Sequence, residues 1–174
     1  VLEVHALSKQ LKKATVKKIT ITSELEQYST FNELDNTRQE LVQQAIESSR
    51  KAYAPYSNFQ VGAAVRLEDN TLVIGNNQEN AAYPSGLCAE RVALFAAHAQ
   101  NPDIAPTQLA IAVHRNNELA EFPTPPCGSC LQVIAELEHK FAHPIEIILY
   151  GKQKVLIAKS VKAFLPLYFN KDKL

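Results

Sequence analysis

Three cysteines are the whole thiol inventory of this chain, and they fall in two short cassettes, Cys88-Ala89-Glu90 and Pro126-Cys127-Gly128-Ser129-Cys130. Three thiolates can hold one zinc ion and leave its fourth position to water, the arrangement of a catalytic site rather than a structural one. Glu90, two residues past the first thiol, is placed to move protons beside that open position. The chemistry within reach is metal-assisted hydrolysis of an amino group on a ring.

Both cassettes sit where helices should begin. Pro84-Ser85-Gly86 introduces a helix over about 88–99, and the stiff loop of Pro123, Pro125 and Pro126 leads into one over about 128–141. Helix N-termini carry partial positive charge and free N–H groups, which favour thiolate over thiol. Glu90 and Cys88 do not share a helix face, so both serve one metal only if it lies beyond the helix end. Three thiolates on zinc leave a net negative charge, which weakens its Lewis acidity. Arg91, three residues after Cys88, can reach that sulfur and withdraw charge. His98 and His139 lie too far along their helices to be ligands; spacing does not decide His5, His114 and His143, which read as ordinary polar residues. Two other uses of the cysteines stay open. A redox C-x-x-C would leave Cys88 unexplained, and a Cys88–Cys130 disulfide would strand Cys127.

The remaining elements form a scaffold. Asp35 caps a helix over about 36–52, with Leu41, Ala45, Ile46, Ser49 and Tyr53 at helical spacing and Pro55 as its stop. Residues 59–67 and 71–75 read as a hairpin around Glu68-Asp69-Asn70; 109–113, 145–149 and 155–158 read as further strands, followed by a short helix at 160–164. The order gives an α/β layered domain with helices packed on a mixed, about five-stranded sheet. Residues 1–34 form an N-terminal extension with a basic cluster (Lys9, Lys12, Lys13, Lys17, Lys18) read as a solvated face, and a β-prone run, Ile19 to Thr22.

Composition narrows the classes. The chain has 174 residues, 46% apolar and 21% charged, with a formal net charge of zero. That suits one globular domain and argues against a dedicated nucleic-acid partner. No run reaches membrane-span length, and the start lacks the order of a signal peptide. An odd cysteine count with a tight C-x-x-C suits a reducing compartment, so the expected localisation is cytoplasmic.

The chain resembles the small, homotetrameric cytidine deaminases over about residues 36–170. The segments that carry the likeness are Tyr53-Ala54-Pro55-Tyr56-Ser57-Asn58-Phe59-Gln60-Val61-Gly62-Ala63-Ala64, the run from Gly75 through Asn77, Glu79 and Cys88-Ala89-Glu90 to Arg91, and Pro126-Cys127-Gly128-Ser129-Cys130-Leu131-Gln132-Val133. The resemblance implies a three-layer α-β-α domain over 35–174. It implies one zinc held by Cys88, Cys127 and Cys130, attack of zinc-bound hydroxide at C4 of cytosine, and Glu90 as the proton shuttle that releases ammonia. Cytidine and deoxycytidine would become uridine and deoxyuridine, as in pyrimidine salvage. It also implies that Asn77 and Glu79 bind the ribose hydroxyls, that Phe59 packs near the nucleoside, and that Ala89 contacts the base through its backbone. Phe169, near the end of the tail, would reach a neighbouring subunit's pocket and stack on the base, so a tetramer with shared sites is expected. Two features depart from the family: Leu131 stands where many relatives carry arginine, and residues 1–34 exceed the compact core.

Rival functions remain at this point: a related zinc deaminase of another aminated nucleoside such as blasticidin S, a polynucleotide deaminase, and a non-catalytic structural zinc module. The polynucleotide case has weak support from a neutral chain with 7% aromatic residues.

Overall fold

The computed structural model describes residues 16–174. Of the extension's basic cluster, Lys9, Lys12 and Lys13 lie outside the described residues, as does His5. The regular elements are β1 (Glu26–Tyr28), α1 (Asn36–Ser49), β2 (Phe59–Leu67), β3 (Leu72–Asn76), α2 (Ala89–Gln100), β4 (Pro106–Arg115), β5 (Glu118–Leu119), α3 (Gly128–Phe141), β6 (Glu146–Gly151) and β7 (Lys154–Ala158).

The sheet runs β1-β7-β6-β4-β2-β3, with β5 folded back on β4. Its five main strands are those expected from the sequence; β1 and β5 are two short additions. β4 and β6 are parallel and every other pairing is antiparallel, so the sheet is mixed. The parallel pair needs a crossover, which α3 supplies. Strand alternation divides the core between two faces. Ala64, Ala110, Ala112 and Ile148 pack with Leu41, Val42, Ala45 and Ile46 of α1. Their neighbours Ala63, Val65, Leu109, Ile111, Ile147 and Leu149 pack with Ala93, Leu94 and Ala97 of α2 and with Ile134, Ala135 and Leu137 of α3. The result is α1 on one face and α2 with α3 on the other, a three-layer α-β-α domain.

Strand polarity decides where the chemistry can sit. β3 and β4 are both antiparallel to β2, so they point the same way. The helices that follow them, α2 and α3, therefore start at the same edge of the sheet. Close packing fixes α2 further: a Cβ built on Gly75 of β3 would lie 2.4 Å from the Ala93 nitrogen and 2.7 Å from the Ala89 carbonyl oxygen. Only a glycine admits the helix at this distance.

Three expectations need correction. The run Ile19–Thr22 forms no strand; residues 16–25 carry no regular structure, and the strand falls at Glu26–Tyr28, where β7 supplies a partner. Strand propensity had no edge to pair with at Ile19. Helix α1 ends at Ser49 and does not run on to residue 52. Tyr53 leaves the helix because its backbone pairs with the segment after β3: its N–H donates to Asn77 O at 3.1 Å and its carbonyl accepts from Glu79 N at 2.8 Å. The helix expected at 160–164 is a 3₁₀ turn, Val161–Ala163. Asp35 caps α1 as expected, accepting from the Arg38 N–H at 2.9 Å.

The sheet's first edge is tied down by charge. Lys159 bridges Glu26 of β1 at 3.0 Å and Glu146 of β6 at 3.2 Å, and Glu146 also holds Arg38 of α1 at 2.6 Å. Burial opposes ionisation of Glu146, but the hydrogen bonds from Arg38 and Gln108 outweigh it and hold the carboxyl below the ordinary range.

Replacing Gly75 with Ala should force α2 outward. The expected cost is about 1–3 kcal/mol of stability, read as a lower thermal midpoint, together with weaker zinc retention because Cys88 begins the displaced helix.

Candidate active site

The two helix starts bring the three thiols together. Cys88 stands at the N-cap position of α2 and Cys127 at that of α3, with Cys130 in the first turn. The sulfurs of Cys88 and Cys127 are 3.8 Å apart, those of Cys127 and Cys130 3.5 Å, and all three lie within 4.8 Å of one another. Tetrahedral zinc with bonds of about 2.3 Å places its sulfurs about 3.8 Å apart, so the donor set fits a tetrahedral zinc thiolate site in both spacing and chemistry. Among the described residues no histidine joins the group. His114 is buried with its Nδ1 2.7 Å from Ser49 Oγ, and His143 lines a separate cleft with Arg38 and Glu146.

Charge is arranged to favour thiolate. The Cys88 thiol is pulled down to about 5, first by the neighbouring Cys130 thiol and then by Arg91 and Cys127. Cys130 is pushed up by its contact with Cys88 and by burial. Arg91 Nη2 lies 3.7 Å from Cys88 Sγ, and the thiolate raises the arginine's own affinity for its proton. Leu131 is buried in the core against α2 and the sheet, so the position filled by arginine in many relatives contributes packing here.

Glu90 lies beside this cluster and is only 5% exposed. Burial, reinforced by the Cys88 charge, raises its carboxyl above the ordinary range. A carboxyl so placed exchanges protons nearer neutrality than a solvated one.

A cleft of about 710 Å³ opens in front of these groups. Its walls include Phe59, Asn77 and Glu79, so all three expected binding residues face it together with Cys88, Glu90 and Arg91. Asn77 braces the start of β2: Nδ2 donates to Phe59 O at 2.9 Å and Oδ1 accepts from Val61 N–H at 2.7 Å. Glu79 accepts from the backbone N–H of Tyr56 at 2.8 Å and from the Ser57 hydroxyl, and that hydroxyl, followed by the Tyr56 N–H, holds its carboxyl below the ordinary range. Ala89 is fully buried in the first turn of α2, and its side chain packs into the core. Phe169 is 57% exposed and is not brought to this cleft; its carbonyl accepts from Gln132 Nε2 at 2.8 Å, which ties the tail to α3.

Sequence reasoning assigned no role of their own to Tyr56, Ser57 or Thr124, which also line the cleft, and gave Pro125, another lining residue, only a part in the stiff loop before α3. The first two belong to the loop that follows α1, where no periodicity marks function. The available signal was the segment Tyr53–Ala64, whose likeness to the family includes both residues.

Comparison with known proteins agrees with this geometry. Residues 35–142 match the family described as the cytidine and deoxycytidylate deaminase zinc-binding region. The cytidine deaminase of Halalkalibacterium halodurans is 46% identical over 101 residues, covering 58% of this chain and 71% of that protein. The cytidine deaminase of Sporosarcina psychrophila is 43% identical over 98 residues, covering 56% and 68%. The crystal structure of cytidine deaminase from Burkholderia pseudomallei superposes with a TM-score of 0.63 at 37% identity, covering 75% of this chain and 97% of that one. A sulfur-rich metal site beside a buried carboxyl, on an α-β-α scaffold, defines the class as zinc-binding hydrolases. Within it, the chain belongs to the cytidine and deoxycytidylate deaminase family.

Zinc analysis of the purified protein should find about one ion per chain. A Cys127→Ala variant should lose it, because two sulfurs grip the ion far less firmly than three.

Proposed function

We propose that this chain catalyses the hydrolytic deamination of cytidine and deoxycytidine to uridine and deoxyuridine, with release of ammonia. The observation that carries this reading is the buried Glu90 carboxyl beside the three-thiol cluster, on the floor of a cleft large enough for a nucleoside. Cys88, Cys127 and Cys130 hold the zinc, which when bound supplies the Lewis acidity that makes water a nucleophile near neutral pH. Arg91 offsets the excess negative charge of the thiolates. Glu90 takes a proton from water and delivers it to N3 of the base, then takes the remaining proton of the new C4 hydroxyl and delivers it to the amino group at C4. A C–O bond forms at C4, the C–N bond breaks, and the amine leaves neutral. Asn77 and Glu79 bind the sugar hydroxyls, Phe59 flanks the nucleoside, and the Ala89 backbone meets the base. Residues 35–174 form the catalytic domain, and residues 1–34 are an extension to it.

We place the enzyme in pyrimidine salvage in the cytoplasm as a homotetramer with shared sites. Among the described residues no helix is long and apolar enough to cross a membrane. The exposed Phe169, its backbone carbonyl tied to Gln132 of α3 and its ring away from its own cleft, supports completion of each site by a neighbour. Sedimentation should give a tetramer, and Phe169→Ala should raise KM by the loss of about 1–3 kcal/mol of stacking. A fully active monomer would overturn the shared site.

The central test is Glu90→Gln. This variant should keep its zinc and lose at least 10²-fold in kcat, the usual scale for a proton-transfer group, in an ultraviolet assay of cytidine loss. Parallel assays on deoxycytidine and blasticidin S fix the substrate. A wild-type, zinc-loaded protein inert toward free nucleosides would overturn the proposal.

A further inference from the structure

The loop between α1 and β2 contains a contact for which cleft-lining alone gives no reason. Ser57 Oγ donates its one hydrogen to Glu79 Oε1 and accepts from the Phe59 N–H at 3.1 Å. Glu79 Oε2 takes the N–H groups of Tyr56 at 2.8 Å and Ser57 at 3.3 Å. Phe59 is thus gripped on both sides, its N–H by Ser57 and its carbonyl by Asn77 Nδ2 at 2.9 Å. Asn58 makes this reach geometrically available: its φ of 53° lies in the left-handed region that Asn tolerates, and folds the loop back over Glu79.

The hydroxyl has one polarity here. With its hydrogen committed to the carboxylate, only its lone pairs remain for Phe59. Glu79 is half-buried, and an untethered carboxylate there samples several rotamers and loses that freedom on binding. Three donors from one short loop remove that freedom in advance. They leave an unshared lone pair on Oε1 for a ligand in the cleft.

We infer that Ser57 is a positioning residue: its hydroxyl orients the Glu79 carboxylate toward the sugar of the bound nucleoside and locks that carboxylate to the backbone of Phe59. The inference rests on the deaminase reading and on Glu79 as a sugar-binding group. It singles out ligands that carry ribose hydroxyls.

The experiment compares wild type, Ser57→Ala and Ser57→Thr, all zinc-loaded. KM and kcat are measured for cytidine, and inhibition constants for the products uridine and 2′,3′-dideoxyuridine. Ser57→Ala should raise KM for cytidine and Ki for uridine by about tenfold, the scale of one hydrogen bond to a charged group, with kcat changed less than threefold. Ki for 2′,3′-dideoxyuridine should move less than about threefold, since that ligand lacks the 2′- and 3′-hydroxyls, of which the 3′-hydroxyl is the group assigned to Glu79. Ser57→Thr keeps the hydroxyl and should restore the wild-type discrimination. Equal weakening of both ligands would mean that Ser57 merely stiffens the loop, and would overturn the inference. So would unchanged KM in the alanine variant, or a threonine variant that behaves like alanine. If the alanine variant does not fold, the threonine variant still decides: its ratio of the two inhibition constants must match wild type. Failure of the wild type to turn over cytidine at all would sink the deaminase reading, a result distinct from any of these.

Discussion

The site depends on strand direction. Because β3 and β4 both run against β2, the chain emerges from each at the same rim of the sheet. The two segments that follow, residues 77–88 and 116–127, each return to start a helix on the same face. Two positive helix ends then converge, and the thiols at their first positions have nowhere else to point. Nothing in the cysteine spacing alone would produce this. Thirty-nine residues separate Cys88 from Cys127, and the sheet closes that distance.

Convergence creates an electrostatic problem that neighbouring residues solve. Thiolates gathered this closely repel one another, and a buried carboxyl beside them adds to the repulsion. The helix ends, the guanidinium of Arg91 and the metal together supply the opposing charge. Burial, reinforced by the Cys88 charge, raises the Glu90 carboxyl above the ordinary range. Leu131 adds no charge to this balance. Its burial contributes to the packing that holds α3 against the sheet, and among the described residues Arg91 supplies positive side-chain charge beside Cys88.

Much of this was legible in the sequence because the relevant signals are local. Asp35 before an apolar period, Pro84-Ser85-Gly86 before Cys88 and the prolines before Cys127 mark helix starts within a residue or two of where they fall. The apolar run Leu109–Val113 reads directly as a buried strand. What escaped is non-local. The departure of Tyr53 from α1 is decided by backbone partners at Asn77 and Glu79, which no window around Tyr53 contains. The short β1 owes its existence to the free edge of β7 and not to its own residues, Glu26-Gln27-Tyr28. The role of Ser57 is invisible until the loop is folded over Glu79. The motif segments contain Phe59, Asn77 and Glu79, and all three reach one cleft.

The position of β1 has an architectural consequence. It lies at the far flank of the sheet, with β7 and β6 between it and β4, whereas the cleft lies at the rim where β3 and β4 end. Sheet growth on that flank is therefore decoupled from the geometry of catalysis. An ancestral domain could acquire, trim or redecorate its leading strand through the Glu26–Lys159 pair without reorienting α2 or α3. The fold thus leaves one margin free for evolutionary elaboration and keeps the rim that holds the chemistry under tight steric constraint.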